Sequence, residues 1–330
     1  MTDGRAPLEP HSLDRVPPEL RGGVVAVGNF DGVHRGHAVL LAQARAESER
    51  LGVPSVVLTF EPHPRTVFRP EQPVFRLTPL AAKARLLAAL GIDGLVVAQF
   101  DRAFAGTTAE DFIATVLRGR LGINTAVVGF NFHFGKGRGG SPSLLISAGE
   151  RDGFSVMVVP PVAAANREPV ASTAIREALA AGDIAGANRL LGYRWCVTGE
   201  IVGGDRRGRE LGFPTANIRL GSDCRLRYGI YAVRMRRSNG KILDGVASYG
   251  RRPTFDNGLP LFETHLFDFA GDLYGETVAV GVEGWIRPEE KFPSVEALIA
   301  AMNRDSASAR AILAAAGPGT ALDHALAAVG

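Results

Sequence analysis

Short apolar runs and helical periods alternate along the first half of the chain. Strand-like runs occupy Val24–Val27, Ser55–Phe60, Gly94–Phe100, Thr125–Val128 and Phe154–Val159. Helical patterns lie between them, at Ala38–Leu51, Leu80–Leu90, Ala109–Leu121 and Leu144–Asp152. Fully apolar strands separated by helices predict a doubly wound parallel sheet, whose ligands bind beyond the carboxyl ends of the strands. Two helix starts are signed: Thr78-Pro79 offers an N-cap and a first-turn proline, and Thr107-Thr-Ala-Glu110 has capping-box spacing. Past a small helical segment (Glu177–Ala181, Ile184–Leu191), the pattern changes at Tyr193. Runs at Trp195–Val202, Ile230–Arg236, Ile242–Ser248, Phe262–Phe267 and Val278–Val282 succeed one another without helices. Ser238-Asn-Gly240 and Asp256-Asn-Gly258 mark hairpins among them. An antiparallel barrel or sandwich follows, covered by a helix from Ser294 to Met302 that continues to about Ala316.

The expected organisation is a polar N-terminal segment (1–20), an α/β domain (21–182), a linker (183–193), a β domain (194–316) and an unassigned tail (317–330). Composition changes this picture little. The content is 46% hydrophobic and 22% charged, with a net charge of +3, which fits a globular chain and supplies no nucleic-acid-binding stripe. No apolar run of membrane-spanning length and no signal peptide are read, and Cys196 and Cys224 lack metal or disulfide spacing, so a cytoplasmic protein is expected.

Candidate chemistry lies where the predicted strands end. Val24–Val27 runs into Gly28-Asn-Phe-Asp-Gly-Val-His-Arg-Gly-His37, a glycine-rich turn opening a helix. Backbone N–H groups at such a helix start suit a phosphate, and one helical turn carries His34 and His37 onto the same face. The spacing alone suits a turn with two solvated histidines equally well. Thr59-Phe-Glu-Pro-His-Pro64 is a proline-fixed loop after the second strand. Gly129–Gly140 is aromatic, basic and glycine-rich, but has the wrong spacing for a Walker A loop and Gly137 in place of its Ser/Thr. Ser172-Thr173 with Arg176 reads either as a phosphate clamp or as a simple N-cap with a surface arginine. In the second half, glycines 203, 204, 208 and 212 with adjacent arginines would let backbone amides approach a polyphosphate, unless they form only a basic hairpin. Thr215 and Asn217, two apart in extended chain, offer oxygen donors for Mg²⁺. Glu263, inside an apolar strand, is either salt-bridged or a general base.

These clusters, in this order, resemble the bacterial bifunctional riboflavin kinase/FAD synthetase family over about residues 20–305. The resemblance implies a nucleotidyltransferase-type, Rossmann-like parallel sheet domain followed by a small antiparallel β-barrel kinase domain with a C-terminal helix. It implies phosphorylation of riboflavin to FMN, then adenylyl transfer from ATP to FMN, giving FAD and pyrophosphate. In the first domain it implies ATP and phosphate contacts at Gly28, Asn29, Phe30, Asp31, Gly32, His34, His37, Asn131, Ser172, Thr173 and Arg176, with His34 and His37 stabilising the transfer. Flavin contacts fall on Phe60, Pro62, His63, Pro64 and Phe130, and Asn131 is a second Mg²⁺ candidate. In the second domain it places ATP at Gly203, Gly208, Arg209, Gly212, Phe213, Pro214 and Thr215, and Mg²⁺ at Thr215 and Asn217. Glu263 is the implied base, and Arg287 and Phe292 the implied flavin contacts, although an ion pair of Arg287 with Glu289 or Glu290 fits equally. The implied partners are riboflavin, FMN and ATP, with no nucleic acid or membrane, in a monomer or weak homo-oligomer.

Two departures stand out: Ala171 where the family often has Ser, and Ser248 where it usually has Asn. They keep two alternatives open: a member with one inactive module, the kinase being the more suspect, and a flavin-binding transport or regulatory protein without turnover.

Overall fold

The computed structural model describes residues 5–162, 170–203, 215–251 and 260–327. These divide into two compact units, Met1–Ser172 and Thr173–Gly330.

The first unit is built on six parallel strands: β1 (Pro10–Ser12), β2 (Val24–Val27), β3 (Ser55–Glu61), β4 (Gly94–Gln99), β5 (Thr125–Gly129) and β6 (Ser155–Val159), in the order β1-β4-β3-β2-β5-β6. Helices α1 (Arg35–Leu51), α2 (Pro64–Phe68), α3 (Leu80–Ala89), α4 (Arg102–Ala105), α5 (Ala109–Asp111, continued by π-helical turns over Phe112–Arg120) and α6 (Pro142–Asp152) connect them. Val24, Val25, Ala26, Val56, Val57 and Leu58 are wholly buried, which is why these runs are apolar throughout instead of alternating. The chain builds outward from β2 to β3 and β4, then returns to the other side of β2 with β5. The crevice beyond the carboxyl ends of β2 and β5 is therefore the topological switch point where such sheets bind ligands.

Several elements differ from the sequence reading. The polar N-terminal segment adds an edge strand, Pro10–Ser12 paired in parallel with Leu95–Val97. Thr78 does not cap α3; that position belongs to Pro79, and the Thr78 hydroxyl is turned to the β2 loop. The capping pair after β4 is shifted by one residue to Thr108 and Asp111, where the Asp111 N–H donates to Thr108 Oγ1 at 3.0 Å and that hydroxyl donates to the Asp111 carboxylate at 2.8 Å. Thr107 instead gives its carbonyl to the Lys136 N–H at 2.7 Å.

The second unit opens with α7 (Ser172–Ala181, whose first residue lies at the boundary) and α8 (Ile184–Leu191). Six antiparallel strands follow: β7 (Cys196–Glu200), β8 (Thr215–Arg219), β9 (Gly229–Arg236), β10 (Ile242–Arg251), β11 (Pro260–Leu266) and β12 (Thr277–Arg287), in the order β7-β12-β9-β10-β11-β8. Strand β8 was not anticipated. The Val202 N–H donates to the Asn217 carbonyl at 2.9 Å and nearly closes the sheet into a barrel. Tyr231, Tyr249 and Phe262 fill its interior. The β9–β10 hairpin turns at Ser238-Asn-Gly240, with Gly240 in the left-handed region at φ 83°; Asp256-Asn-Gly258 lies outside the described residues.

Helix α9 (Val295–Ala315) packs Ala309 and Leu313 onto Ala232 and Phe267 of the barrel. Leu313→Ala is expected to destabilise this unit by about 2–5 kcal/mol, the usual cost of emptying a buried leucine site. Trp195 and Trp285 both lie in this unit, so denaturant unfolding followed by tryptophan fluorescence reads that loss directly. The tail carries a further helix, α10 (Ala321–Leu326), which opens on a Thr320–Asp323 capping box, and Asp323 receives the Arg194 guanidinium at 2.8 Å.

Candidate active sites

In the first unit the loop after β2 carries its strain where ligands would bind. Phe30, Gly32 and Val33 all have positive φ, at 45°, 85° and 34°. For Phe and Val this costs on the order of 1–3 kcal/mol each and persists only where the surroundings dictate it. The loop is pinned from below. Asp31, nearly fully buried, accepts the Leu77 and Thr78 N–H groups at 3.3 and 3.1 Å, and the Gly32 N–H donates to Thr78 Oγ1 at 2.9 Å. The Asp31 carboxylate and the Phe30 ring are therefore turned into the protein, which leaves the backbone of these two residues as the part of them that faces the crevice. A carboxylate facing a triphosphate would repel it; anchored inward, it fixes the loop that faces the ligand.

The backbone of this loop delivers the histidines. His34 is the N-cap of α1, and its Nδ1 accepts the His37 N–H at 3.3 Å. The two rings stack with centroids 3.6 Å apart. A side chain at position 36 would press on the His34 ring at 3.2 Å, so Gly36 keeps the pair together. Burial, then the neighbouring His34 and Lys83, push the His37 imidazole well below its ordinary pKa. It is neutral at pH 7, with Nδ1 buried and unpartnered among the described residues. Ser172 Oγ donates to the Asp31 carbonyl at 2.8 Å and braces the same loop. Thr173 and Arg176 follow in α7, on the second unit's side of the boundary. Asn131 is exposed just past β5, with its Oδ1 folded over Gly129.

The loop after β3 splits its predicted residues. Phe60 is buried among Phe100, Phe104 and Phe112, so its ring serves the core. Pro62 and Phe130 are exposed, His63 and Pro64 half-buried, and Phe68, not anticipated, is 64% exposed against Phe100. Beneath both loops lies a charge network that no motif signalled. Lys83 Nζ donates to the Asn29 carbonyl (2.8 Å), Thr59 Oγ1 (3.0 Å) and Glu61 (3.2 Å). Glu61 is gripped by both ends of the Arg76 guanidinium, whose Nε lies 3.7 Å from Asp31. Burial pulls the Glu61 carboxyl up, but Arg76 and Lys83 together hold it below the ordinary carboxylate range. The only sequence signal was a lysine among apolar residues in the α3 pattern.

In the second unit a cavity of about 330 Å³ lies between the sheet and α9, lined by Thr215, Ser248, Glu263, His265, Arg287 and Phe292 among others. Strand pairing sets its floor: Asn217 lies opposite Glu263, Glu263 opposite Ser248, Ser248 opposite Ile230, and Ile230 opposite Arg287. Directly opposed residues in antiparallel strands hold their Cβ atoms about 4.5–5.5 Å apart on the same face. Asn217 is 2% exposed, and its Oδ1 has no partner among the described residues. A buried amide oxygen without a donor fits a hard cation, and Thr215 stands two residues away on the same strand. Arg287 takes neither glutamate as its main partner. It forms a bidentate pair with Asp305 of α9 at 2.8 and 2.7 Å and lies 5.5 Å above the Phe292 ring, with Glu290 at 3.7 Å. Burial and the Glu263 charge raise the Glu289 carboxyl. The predicted Gly208, Arg209, Gly212, Phe213 and Pro214 lie outside the described residues; Gly203 ends the described stretch after β7.

The family model described as FAD synthetase matches residues 16–174, and the one described as riboflavin kinase matches residues 191–313. The bifunctional riboflavin kinase/FMN adenylyltransferase of Escherichia coli (strain K12) is 40% identical over 300 residues, covering 91% of this chain and 95% of that one. The chain belongs to this bifunctional family. The enzyme of the same name from Pseudomonas fluorescens is 41% identical over 303 residues, 92% of this chain and 96% of its own. A crystal structure named as a macrolide-efflux protein from Streptococcus pneumoniae shares the fold, with a TM-score of 0.81 and 32% identity over 90% of this chain and 96% of that one. Among the described residues no helix is long and apolar enough to cross a membrane.

Proposed function

We propose that each half of the family's two-step reaction is carried by the constellation found in one unit. The chain is a riboflavin kinase and FMN adenylyltransferase, with riboflavin, FMN and ATP as its substrates. The observation that carries the assignment of residues is the rung Asn217–Glu263–Ser248, whose Glu263 and Ser248 line the second unit's cavity.

The two steps need different help because their nucleophiles differ. In the first, the riboflavin 5′-hydroxyl attacks the γ-phosphorus of ATP, and ADP leaves. An alcohol is a poor nucleophile until its proton goes, so Glu263 accepts that proton. Thr215 and Asn217 would hold Mg²⁺, which supplies charge neutralisation to the phosphates. Arg287 and Phe292 line the flavin side, and Ser248, one strand from Glu263, keeps a hydroxyl at the rung where the family usually has an amide. In the second step the FMN phosphate, already anionic, attacks the α-phosphorus of ATP and pyrophosphate leaves. No base is required there; the site must position two anions and neutralise developing charge. The neutral imidazole of His37 with the stacked His34 ring, the backbone of the Gly28–Gly32 loop, Asn131 and Ser172 serve that purpose. Pro62, His63, Pro64 and Phe130 border the flavin. We place the enzyme in the cytoplasm, in keeping with a 330-residue chain that carries only two cysteines.

The test is chromatography of flavins after incubation with riboflavin, ATP and Mg²⁺. The native chain is expected to give FAD through FMN. Asn217→Ala is expected to lose riboflavin phosphorylation and to need more Mg²⁺ for whatever rate remains, while still adenylylating supplied FMN. An unchanged Mg²⁺ dependence in that variant would remove Asn217 from the metal site.

A further inference from the structure

The Lys83 ammonium is fully buried, an expensive place for a charge unless its partners justify it. Its three N–H donors meet three acceptors: a backbone carbonyl, a hydroxyl and a carboxylate. Each acceptor lies in, or in the strand end leading into, one of the two loops at the candidate adenylyl-transfer site. Asn29 is in the glycine-histidine loop after β2, two residues before Asp31. Thr59 and Glu61 close β3, immediately before the Pro62-His63-Pro64 turn. Thr59 adds a second tie by donating its own hydroxyl to the Asn29 carbonyl at 3.0 Å. The second cation, Arg76, links the same Glu61 to Asp31. Two cations and two carboxylates thus form one balanced cluster beneath both loops. A core lysine serving stability alone has no need to join these two strand ends; apolar packing would be cheaper.

We propose that Lys83 is a positioning residue for adenylyl transfer, clamping the phosphate loop at Asn29 to the end of β3 and so setting the spacing between phosphate donors and flavin. The role rests on the reading of these two loops as nucleotide and flavin loops. It touches neither substrate; it acts through Asn29, Glu61 and the histidines carried further along the loop. The Lys83 charge is also among the causes that keep His37 neutral, after burial and His34, with Glu61, Asp31 and Arg76 completing the charged groups of the cluster.

The test uses the full chain, in which riboflavin phosphorylation reports on the second unit of the same molecules. Lys83→Met keeps the length and removes the donors. The expected result is a fall in the kcat of adenylyl transfer by roughly 100-fold, the scale of a misplacement near 1 Å. The KM values for ATP and FMN stay near native, and riboflavin phosphorylation is unaffected. The acid limb of kcat/KM for adenylyl transfer moves to higher pH, because His37 loses a neighbouring positive charge; a purely structural lysine would not move it. Where Lys83→Met fails to fold, the Lys83→Met/Glu61→Gln double variant removes both charges of the pair and is expected to behave the same way in a folded chain. A folded variant with native kcat and a native pH profile overturns the proposal, and so does failure of both variants to fold, which would make Lys83 a stability residue. His37→Ala is assayed in parallel. If it too retains adenylyl transfer, the reading of the loops fails; if it alone is impaired, only the role of Lys83 does.

Discussion

Glu263→Gln is expected to lower the rate of riboflavin phosphorylation by roughly 10²–10⁴-fold, the range for loss of a positioned general base. FMN supplied from outside should still be converted to FAD at the native rate. Glutamine keeps the shape of the side chain and most of its hydrogen bonding, so the substitution isolates basicity. The backbone fixes Glu263 strongly: β11 is paired on both sides, with Asn217 on one neighbour and Ser248 on the other. The carboxylate therefore stands beside the atoms read as metal ligands, on the floor of the cavity. Chromatographic separation of riboflavin, FMN and FAD measures both steps in one tube. Unimpaired phosphorylation by Glu263→Gln would remove it from the chemistry and leave the salt-bridge reading of that strand position.

Most of the fold could be read from the sequence because both sheets announce themselves through burial. The central parallel strands carry near-continuous apolar runs, since both faces of their sheet are buried, and the antiparallel ones are broken by hairpin signals. What escaped the reading has a common physical cause: its signal lies in partners far apart in the chain. Strand β1, Pro10–Ser12, is polar and short, and it joins the sheet through backbone pairing alone. The carboxylate of Asp31, in a glycine-rich loop, accepts the N–H groups of Leu77 and Thr78, more than 40 residues away. Thr78-Pro79 has the form of a cap, and the same hydroxyl proved more useful under Gly32. Arg287 sits next to two glutamates in sequence but pairs with Asp305, which α9 brings across the cavity. Lys83 occupies a position that the helical period of α3 gives to the core. A single sequence cannot distinguish a lysine that reaches solvent from one that meets Thr59 and Glu61.

The chemistry was legible in a different way. The proposed residues that can be picked out without a distant partner are those whose candidacy starts from a local spacing: His34 with His37 at a helix start, and Thr215 with Asn217 along a strand, although the histidine spacing alone fits a solvated turn equally well. Where a role requires a third dimension, as for Glu263, the sequence offered two readings. Strand register favours the base, because it sets that carboxylate beside an amide oxygen with no protein donor of its own among the described residues.

His37→Ala is expected to lower adenylyl transfer by about 2.7–4 kcal/mol, or 10²–10³-fold, the loss seen when one donor to a developing oxyanion is removed. Riboflavin should then accumulate as FMN, the mirror image of the Glu263 variant. The sign of the pH dependence separates the two ways a histidine can assist. Burial, His34 and Lys83 hold the His37 imidazole below its ordinary range, so the free enzyme presents a neutral ring at pH 7. Such a ring gives one N–H to a phosphate oxygen without serving as an acid. For kcat/KM, which reports groups of the free enzyme, adenylyl transfer should stay level as pH falls from 8 through the usual imidazole value of about 6.5, and decline only below it. If the working form were the imidazolium, the same profile would instead rise steadily toward low pH over that interval. A rising profile, or an alanine variant that makes FAD at the native rate, would take His37 out of the transfer step and leave its ring as a packing partner of His34 and Phe30.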